Sequence, residues 1–257
     1  MIDVHCHLEQ KDYDKDRDEV INECRKQLKA VISSCADSRD WPFTLEMIKK
    51  HKGFVFATAG IHPIYIKDIK DEKGEVSKFI ETLKKEAKEK HIVAIGEIGL
   101  DYYWVKEKLW QEKQKELMIR FINLSKEVNL PLVIHSREAM ADTVYILKQN
   151  KAKNVMLHLF GDRKLLPRVI ENGWSISIGP IIQRSKEHKK IVRDMPLEKI
   201  MLETDAPWFG ENGARNTPLA IIEVAKKIAE IKKISFEEVW KQCAMNAIKF
   251  FSLPLKI

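Results

Sequence analysis

Eight runs of strand length, rich in Val, Ile and Leu, recur at 2–6, 28–34, 54–59, 92–97, 131–135, 154–158, 174–178 and 199–204. They alternate only weakly between apolar and polar residues, which is the pattern of parallel strands covered on both faces. Stretches with helical spacing lie between them. Within 110–128, Leu117, Phe121, Leu124 and Val128 fall on one stripe. A second helical stretch spans 76–90, and a third spans 217–231 with Thr217-Pro218 as its cap and first-turn pair. A fourth spans 235–251 and opens with Ser235 and Glu238 as a capping box. Eight strands alternating with helices over 257 residues predict an α/β fold, a (β/α)8 TIM barrel. An open doubly wound sheet is the alternative, but such a sheet gathers its ligands at one switch point. No internal repeat, low-complexity tract or Pro/Gly/Ser linker divides the chain, so residues 1–257 read as a single domain.

The two architectures are separated by what the strands end in, because a barrel of this kind builds its active site at the carboxyl ends of its strands. The first run ends in His5 and His7. Two residues apart on a strand, they point the same way and can reach one cation. The third runs into Gly60-Ile61-His62-Pro63, and the fourth ends Gly96-Glu97-Ile98-Gly99-Leu100-Asp101. The fifth ends His135-Ser136-Arg137, the sixth His158, and the eighth Glu203-Thr204-Asp205-Ala206-Pro207. His5, His7, Glu97, His135, His158 and Asp205 are six ligand-type side chains. One catalytic zinc takes only three or four. Six suffice for two divalent metal ions that share a bridging carboxylate, about 3.5–4 Å apart. Imidazole and carboxylate donors suit zinc, manganese or magnesium to different degrees.

Composition narrows the class of partner. Lys and Arg number 45 against 38 Asp and Glu, a net charge of +7, which favours an anionic partner. Part of that excess lies in mixed Lys/Glu stretches such as 84–90, the pattern of a solvated helix face. No run approaches the roughly 18 apolar residues of a membrane span. No leader precedes His5, so the expected location is cytoplasmic. Cys6, Cys24, Cys35 and Cys243 form no C-x-x-C pair and read as small buried hydrophobes. Cys6 has the opposite strand parity to the two histidines, so it is expected to face packed helices.

Taken together, these residues resemble the TatD-like deoxyribonuclease family, within the wider amidohydrolase-type barrels. The matching segments are DVHCHL (3–8), GIHP (60–63), GEIGLDYY (96–103), LPLVIHSREA (130–139), His158 with Phe160, SIGP (177–180), ETDAPW (203–208) and Arg215-Asn216. GEIGLDYY and ETDAP are the specific signals. Carried over by position, the resemblance implies that His5, His7, Glu97 and Asp205 hold one metal. It implies that Glu97, His135 and His158 hold a second. His62 and Arg137 would approach the substrate phosphate, a role that suits the planar fork of arginine. The implied activity is DNA phosphodiester hydrolysis, exonucleolytic on single-stranded DNA or 3′ ends, with no membrane and no obligate protein partner. Three positions depart from the family pattern: His158-Leu159-Phe160-Gly161-Asp162 replaces His-Cys-Phe-Ser-Gly, Ile64 stands where a second histidine is common, and Thr217 replaces a glutamate.

The remaining candidates have two readings each. Glu97 and Asp205 are the expected catalytic carboxylates, with Asp205 orienting the attacking water or taking its proton. Trp104, Trp110 and Trp208 can stack bases. Trp208 follows Asp205 directly and is the better candidate, whereas Trp110 reads as helix packing. Asp101 and Tyr102 either line the site or pack the loop. Asp3 shares parity with His5 and reads as a supporting or floor carboxylate. Glu203 is placed to orient a neighbouring ligand or Arg215. His51, His91 and His188 lie in Lys-rich stretches and are expected at the surface. Fold and metals do not fix the leaving group. Hydrolysis of a small amide, an ester or a misacylated aminoacyl-tRNA is the alternative activity, and a metal-stabilised scaffold is the non-catalytic one.

Overall fold

The computed structural model describes residues 1–69 and 71–256. Its strands are β1 (Ile2–Cys6), β2 (Ala30–Cys35), β3 (Val55–Ala59), β4 (Ile92–Asp101), β5 (Leu132–Arg137), β6 (Val155–Leu157), β7 (Ser175–Ile178) and β8 (Ile200–Leu202). Each pairs in parallel with the next in chain order. Between and after them run α1 (Arg17–Gln27), α2 (Trp41–Lys50), α3 (Ser77–Lys88), α4 (Lys108–Val128), α5 (Met140–Gln149), α6 (Leu166–Glu171), α7 (Lys186–Asp194), α8 (Ile221–Lys232) and α9 (Phe236–Phe251). This is the expected (β/α)8 barrel. Among the described residues no helix is long and apolar enough to cross a membrane.

Two apolar layers hold the strands. One lies between sheet and helices and includes Cys6, Val31, Leu117, Phe121 and Leu124, the last three from the predicted stripe of α4. The other fills the barrel. Ile2, Val4, Ala30, Ile32, Ala94, Val133, Met156 and Met201 meet there, and Ala247, Phe251 and Leu253 join them. α9 and its tail thus seal the end where the strands begin, which leaves the other end for polar side chains.

Two local irregularities aim the polar groups. In β1, Asp3 pairs with Val31 and Cys6 with Ser33, so β1 spends one residue more than β2. Such a bulge resets the alternation of side chains. Ile2 and Val4 stay in the inner layer, yet His5 and His7 also turn inward. Asp3 therefore does not share the face of His5, contrary to its parity in the sequence. Instead its carboxylate accepts from the Thr204 N–H at 3.1 Å and the Thr204 hydroxyl at 2.5 Å. With the bonds from Asp205 N–H to the His5 carbonyl (2.9 Å) and from His7 N–H to the Ala206 carbonyl (2.7 Å), this joins the end of β1 to the segment that follows β8.

The second irregularity is β4, which runs to Asp101 instead of stopping at Glu97. Gly96 and Gly99 have φ of +152° and +146°. A Cβ on Gly99 would stand 1.9 Å from the carbonyl oxygen of His135. Only glycine lets β4 and β5 approach this closely, and the approach brings Glu97 beside His135.

Helix ends follow the sequence in part. The Ser235 hydroxyl accepts from the Glu238 N–H at 3.0 Å, as the capping box predicts. Thr217 makes no cap; Pro218 opens a 3-10 turn (Pro218–Ala220) and α8 starts only at Ile221. Two of the three histidines expected at the surface are buried. His51 packs at the end of α2 with Nε2 2.7 Å from Asp18 Oδ1, and His188 lies against Gly161 with Nδ1 2.8 Å from the Ser185 hydroxyl. His91 is half-buried and meets Glu86 at 2.6 Å. The Lys-rich context hid these pairings, because a single inward position on a charged helix carries no periodic signal.

Candidate metal centre

The six strand-end candidates converge at the open end of the barrel. The two oxygens of the Glu97 carboxylate face different sets of groups. Oε2 lies 3.4 Å from His5 Nε2 and 3.7 Å from His7 Nε2. Oε1 lies 2.9 Å from His135 Nδ1, 3.4 Å from His158 Nε2 and 3.5 Å from His62 Nε2. Asp205 Oδ1 completes the first set, 3.3 Å from His7 Nε2 and 3.7 Å from His5 Nε2. The Nε2 atoms of His5 and His7 are 3.1 Å apart. The His158 ring stacks on His5 with centroids 3.9 Å apart.

This donor set fits divalent cations. Ligand atoms bonded to one such ion at about 2.0–2.2 Å stand roughly 3–3.5 Å from one another. The observed separations cluster at that value, and the groups His5–His7–Glu97, His5–His158–Asp205 and His62–Glu97–His135 each gather their donor atoms within 4.8 Å. His5 Nδ1 is buried without a hydrogen-bond partner among the described residues. It leaves that ring the least committed of the set.

Three carboxylates hold the rings from behind. Glu9 Oε1 is 3.1 Å from His7 Nδ1, and its other oxygen accepts from the Ser33 hydroxyl at 2.8 Å. Glu203 Oε2 is 2.9 Å from His158 Nδ1 and accepts from the Ser177 hydroxyl at 2.8 Å. Asp101 Oδ2 is 3.0 Å from His135 Nε2. A carboxylate on the far nitrogen fixes tautomer and ring orientation and raises ligand basicity. Glu203 therefore serves His158, while Arg215 pairs instead with Asp16 at 2.5 Å. Asp101 does both things the sequence allowed, since its Oδ1 also accepts from the Trp104 N–H at 2.7 Å. Glu9 escaped notice in the sequence, although it stands two residues after His7, the same spacing that singled out His5 and His7.

The charge balance of the site is internal. Burial pushes the Glu97 carboxyl up, yet the imidazoles of His62, His158 and His5 and the hydrogen bond with His135 hold it well below the usual range. Asp205 is likewise pushed up by burial and held low by His7 and by His158. Burial lowers His158, but Glu203 and Glu97 carry it up to about 9. His7 rises well above its ordinary value against burial, through Glu9 and Asp205. Burial drives His62 down to about 3. Its Nδ1 accepts from the Ile64 N–H at 3.2 Å, so in the neutral ring Nε2 carries the proton.

A cavity of about 420 Å³ opens over these groups, with His62, Tyr65, Trp104, Arg137, Trp208 and Phe209 among its walls. His62, expected to approach a phosphate, stands at ligand distance from Glu97 as well. The Arg137 guanidinium lies 3.9 Å above the Tyr103 ring. Among the described residues it has no hydrogen bond or ion pair to the protein, so its N–H edges are available to an anion. Trp208 meets His7 edge to face, with centroids 4.6 Å apart. Of the departures from the family pattern, Ile64 belongs to this cavity, whereas Leu159, Gly161 and Asp162 line a neighbouring one. The Leu159 N–H donates to Glu203 Oε1 at 2.8 Å, and Asp162 accepts from the Lys164 N–H at 3.0 Å.

Comparison with known proteins agrees with the geometry. The family described as TatD related DNase matches residues 2–252. The human protein named Deoxyribonuclease TATDN3 is 34% identical, over 98% of this chain and 94% of that protein. A Bacillus subtilis protein, the uncharacterized metal-dependent hydrolase YabD, is 32% identical over 98% of this chain and 99% of its own. Among solved structures, the TatD homologue YJJV of Escherichia coli superposes with a TM-score of 0.88 at 23% identity, covering 99% of this chain and 98% of that one, and so shares the fold. With the family matched from β1 to the end of α9, this chain belongs to the TatD related DNases.

Proposed function

We propose that this protein is a two-metal phosphodiesterase that removes nucleotides from the ends of DNA, acting on single strands or on 3′ ends. The observation that carries the reading is the split of Glu97, one oxygen toward His5 and His7 and the other toward His135 and His158. His5, His7, Asp205 and Glu97 would hold one cation, and Glu97, His135 and His158 the other. When bound, divalent cations supply Lewis acidity and lower the pKa of water toward neutrality.

The chain's own residues supply the rest. Asp205 is ionised and lies at the cavity, where it can take the proton of the attacking water. As water adds to phosphorus, the P–O bond to the leaving nucleotide breaks. The Nε2–H of His62 and the guanidinium of Arg137 donate to the phosphate oxygens as charge builds there. Trp208, exposed at the rim, stacks on a base. The +7 charge favours approach of the polyanion.

The test is cleavage of end-labelled single-stranded DNA by protein loaded with Mg²⁺, Mn²⁺ or Zn²⁺. A ladder shortening from one end is expected, with two equivalents of metal per chain. No cleavage with any of the three metals, or undiminished cleavage by Glu97→Ala, overturns the reading.

A further inference from the structure

Large apolar side chains on a surface are unremarkable singly and informative when they gather. Among the described residues nine are exposed; three of them, Ile64, Trp104 and Trp208, line the catalytic cavity, and a fourth, Tyr103, packs against Trp104. Trp104 is 62% exposed and Trp208 47%. Each is anchored to a different half of the site. The Trp104 N–H is held by Asp101, whose other oxygen holds His135. The Trp208 N–H is held by the Asp205 carbonyl at 3.0 Å, and its ring rests on His7. The two indoles, on the loops after β4 and β8, are thus tied to different partners of Glu97, His135 for one and His7 for the other.

Trp104 does not stand alone. Tyr103 meets it at 85° with centroids 4.8 Å apart. The Arg137 guanidinium lies 3.9 Å over Tyr103 and 5.6 Å from the Trp104 ring centroid. A cation on an aromatic pair stiffens an exposed ring that would otherwise rotate freely. We propose that Trp104, braced by Tyr103 and Arg137, is a second base-stacking platform that works together with Trp208 at the cavity. Stacking needs only a π-face, so the pair would be tolerant of sequence. The inference rests on the nuclease reading above and extends it to a second base contact, made by Trp104.

The experiment compares wild type, Trp104→Ala and Trp104→Phe, all metal-loaded, on three substrates. On single-stranded DNA, Trp104→Ala should raise KM about tenfold with kcat little changed, and Trp104→Phe should recover most of the loss. On a fully abasic oligonucleotide, which has no ring to stack, the gap between wild type and the variants should close. On oligonucleotides carrying one abasic site, walked along the strand, the penalty of Trp104→Ala should vanish at one position. A KM for single strands within twofold of wild type, or a penalty of equal size on every abasic substrate, overturns the platform. Binding is read separately, by anisotropy of labelled DNA on the Glu97→Gln background. Tight binding that depends on Trp104, from a protein that never cuts DNA, sinks the nuclease reading and keeps the platform. Binding that ignores Trp104 sinks the platform and leaves the nuclease reading standing.

Discussion

Asp3 and Thr204 hold the seam of the barrel: the Asp3 carboxylate at the start of the chain accepts both the N–H and the hydroxyl of Thr204, 201 residues later. It also accepts from the His5 N–H at 3.2 Å. Both His5 and Asp205, next to these anchor points, belong to the candidate metal set. Closing the sheet and placing two ligands are thus one act.

Replacing Asp3 by Ala strands two buried main-chain N–H groups, at about 1–3 kcal/mol each. The expected loss for Asp3→Ala is about 2–4 kcal/mol of unfolding free energy, and Thr204→Val should cost only about 1 kcal/mol. Urea denaturation of metal-free protein measures both. A loss under about 0.5 kcal/mol for Asp3→Ala, the scale of an ordinary surface change, would show that the seam does not depend on it.

Glu9 and Glu203 touch the ligands and not the cavity floor. Glu9→Gln keeps the shape and weakens the grip on His7 Nδ1; Glu203→Gln does the same for His158. Each should lower metal affinity or activity about 10–100-fold, the usual range for such outer partners. Metal titration with a competing chelator checks the first quantity, and cleavage rate at saturating metal checks the second. If both variants bind and cleave like wild type, the carboxylates only fill space.

The plan of the site could be read before folding because its signals are local. A short apolar run is enough to mark a strand, and His5, His135 and His158 each sit in the last residues of such a run or just after it. What could not be read is where the alternation slips. The bulge between Asp3 and Cys6 separates Asp3 from the face of His5, and the two glycines around Glu97 carry β4 four residues beyond its expected end. Both depend on how the neighbouring strand sits, which no single segment records. The expectation that His51 and His188 lie at the surface failed for the same reason, since Asp18 and Gly161, against which they are buried, lie far off in sequence.

Metal-free protein should lose stability as pH rises from about 6.5 to 9. His158 titrates near 6.5 when unfolded and at about 9 when folded, where Glu203 and Glu97 outweigh the opposing effect of burial. A raised value means the fold binds the proton more tightly. The resulting stabilisation is complete below 6.5 and fades as pH climbs through 9. His7 and His135 shift in the same direction. A bound cation needs those rings neutral, so the extra stability of the metal-loaded protein should grow over the same interval. Melting curves with chelator and with Mn²⁺ across that range give both slopes. A flat chelator profile would contradict the first, and a His158→Gln variant should show a shallower one.

Salt can measure whether Arg137 meets phosphate, as proposed. Its guanidinium lies flat on Tyr103, which occupies its face but leaves its N–H edges open to the cavity. If those edges meet one phosphate of a single strand, log K for DNA falls with log salt, and that contact contributes about 0.7 to the slope. Arg137→Ala should therefore weaken binding most at low salt and flatten the slope by about 0.7. Arg137→Lys keeps the charge but loses the planar fork. It should restore the slope while recovering only part of the affinity. Anisotropy titrations from 50 to about 300 mM salt resolve the two effects. An unchanged slope in Arg137→Ala would mean that the side chain only braces Tyr103 and Trp104, and that the phosphate is held by His62 and the cations alone.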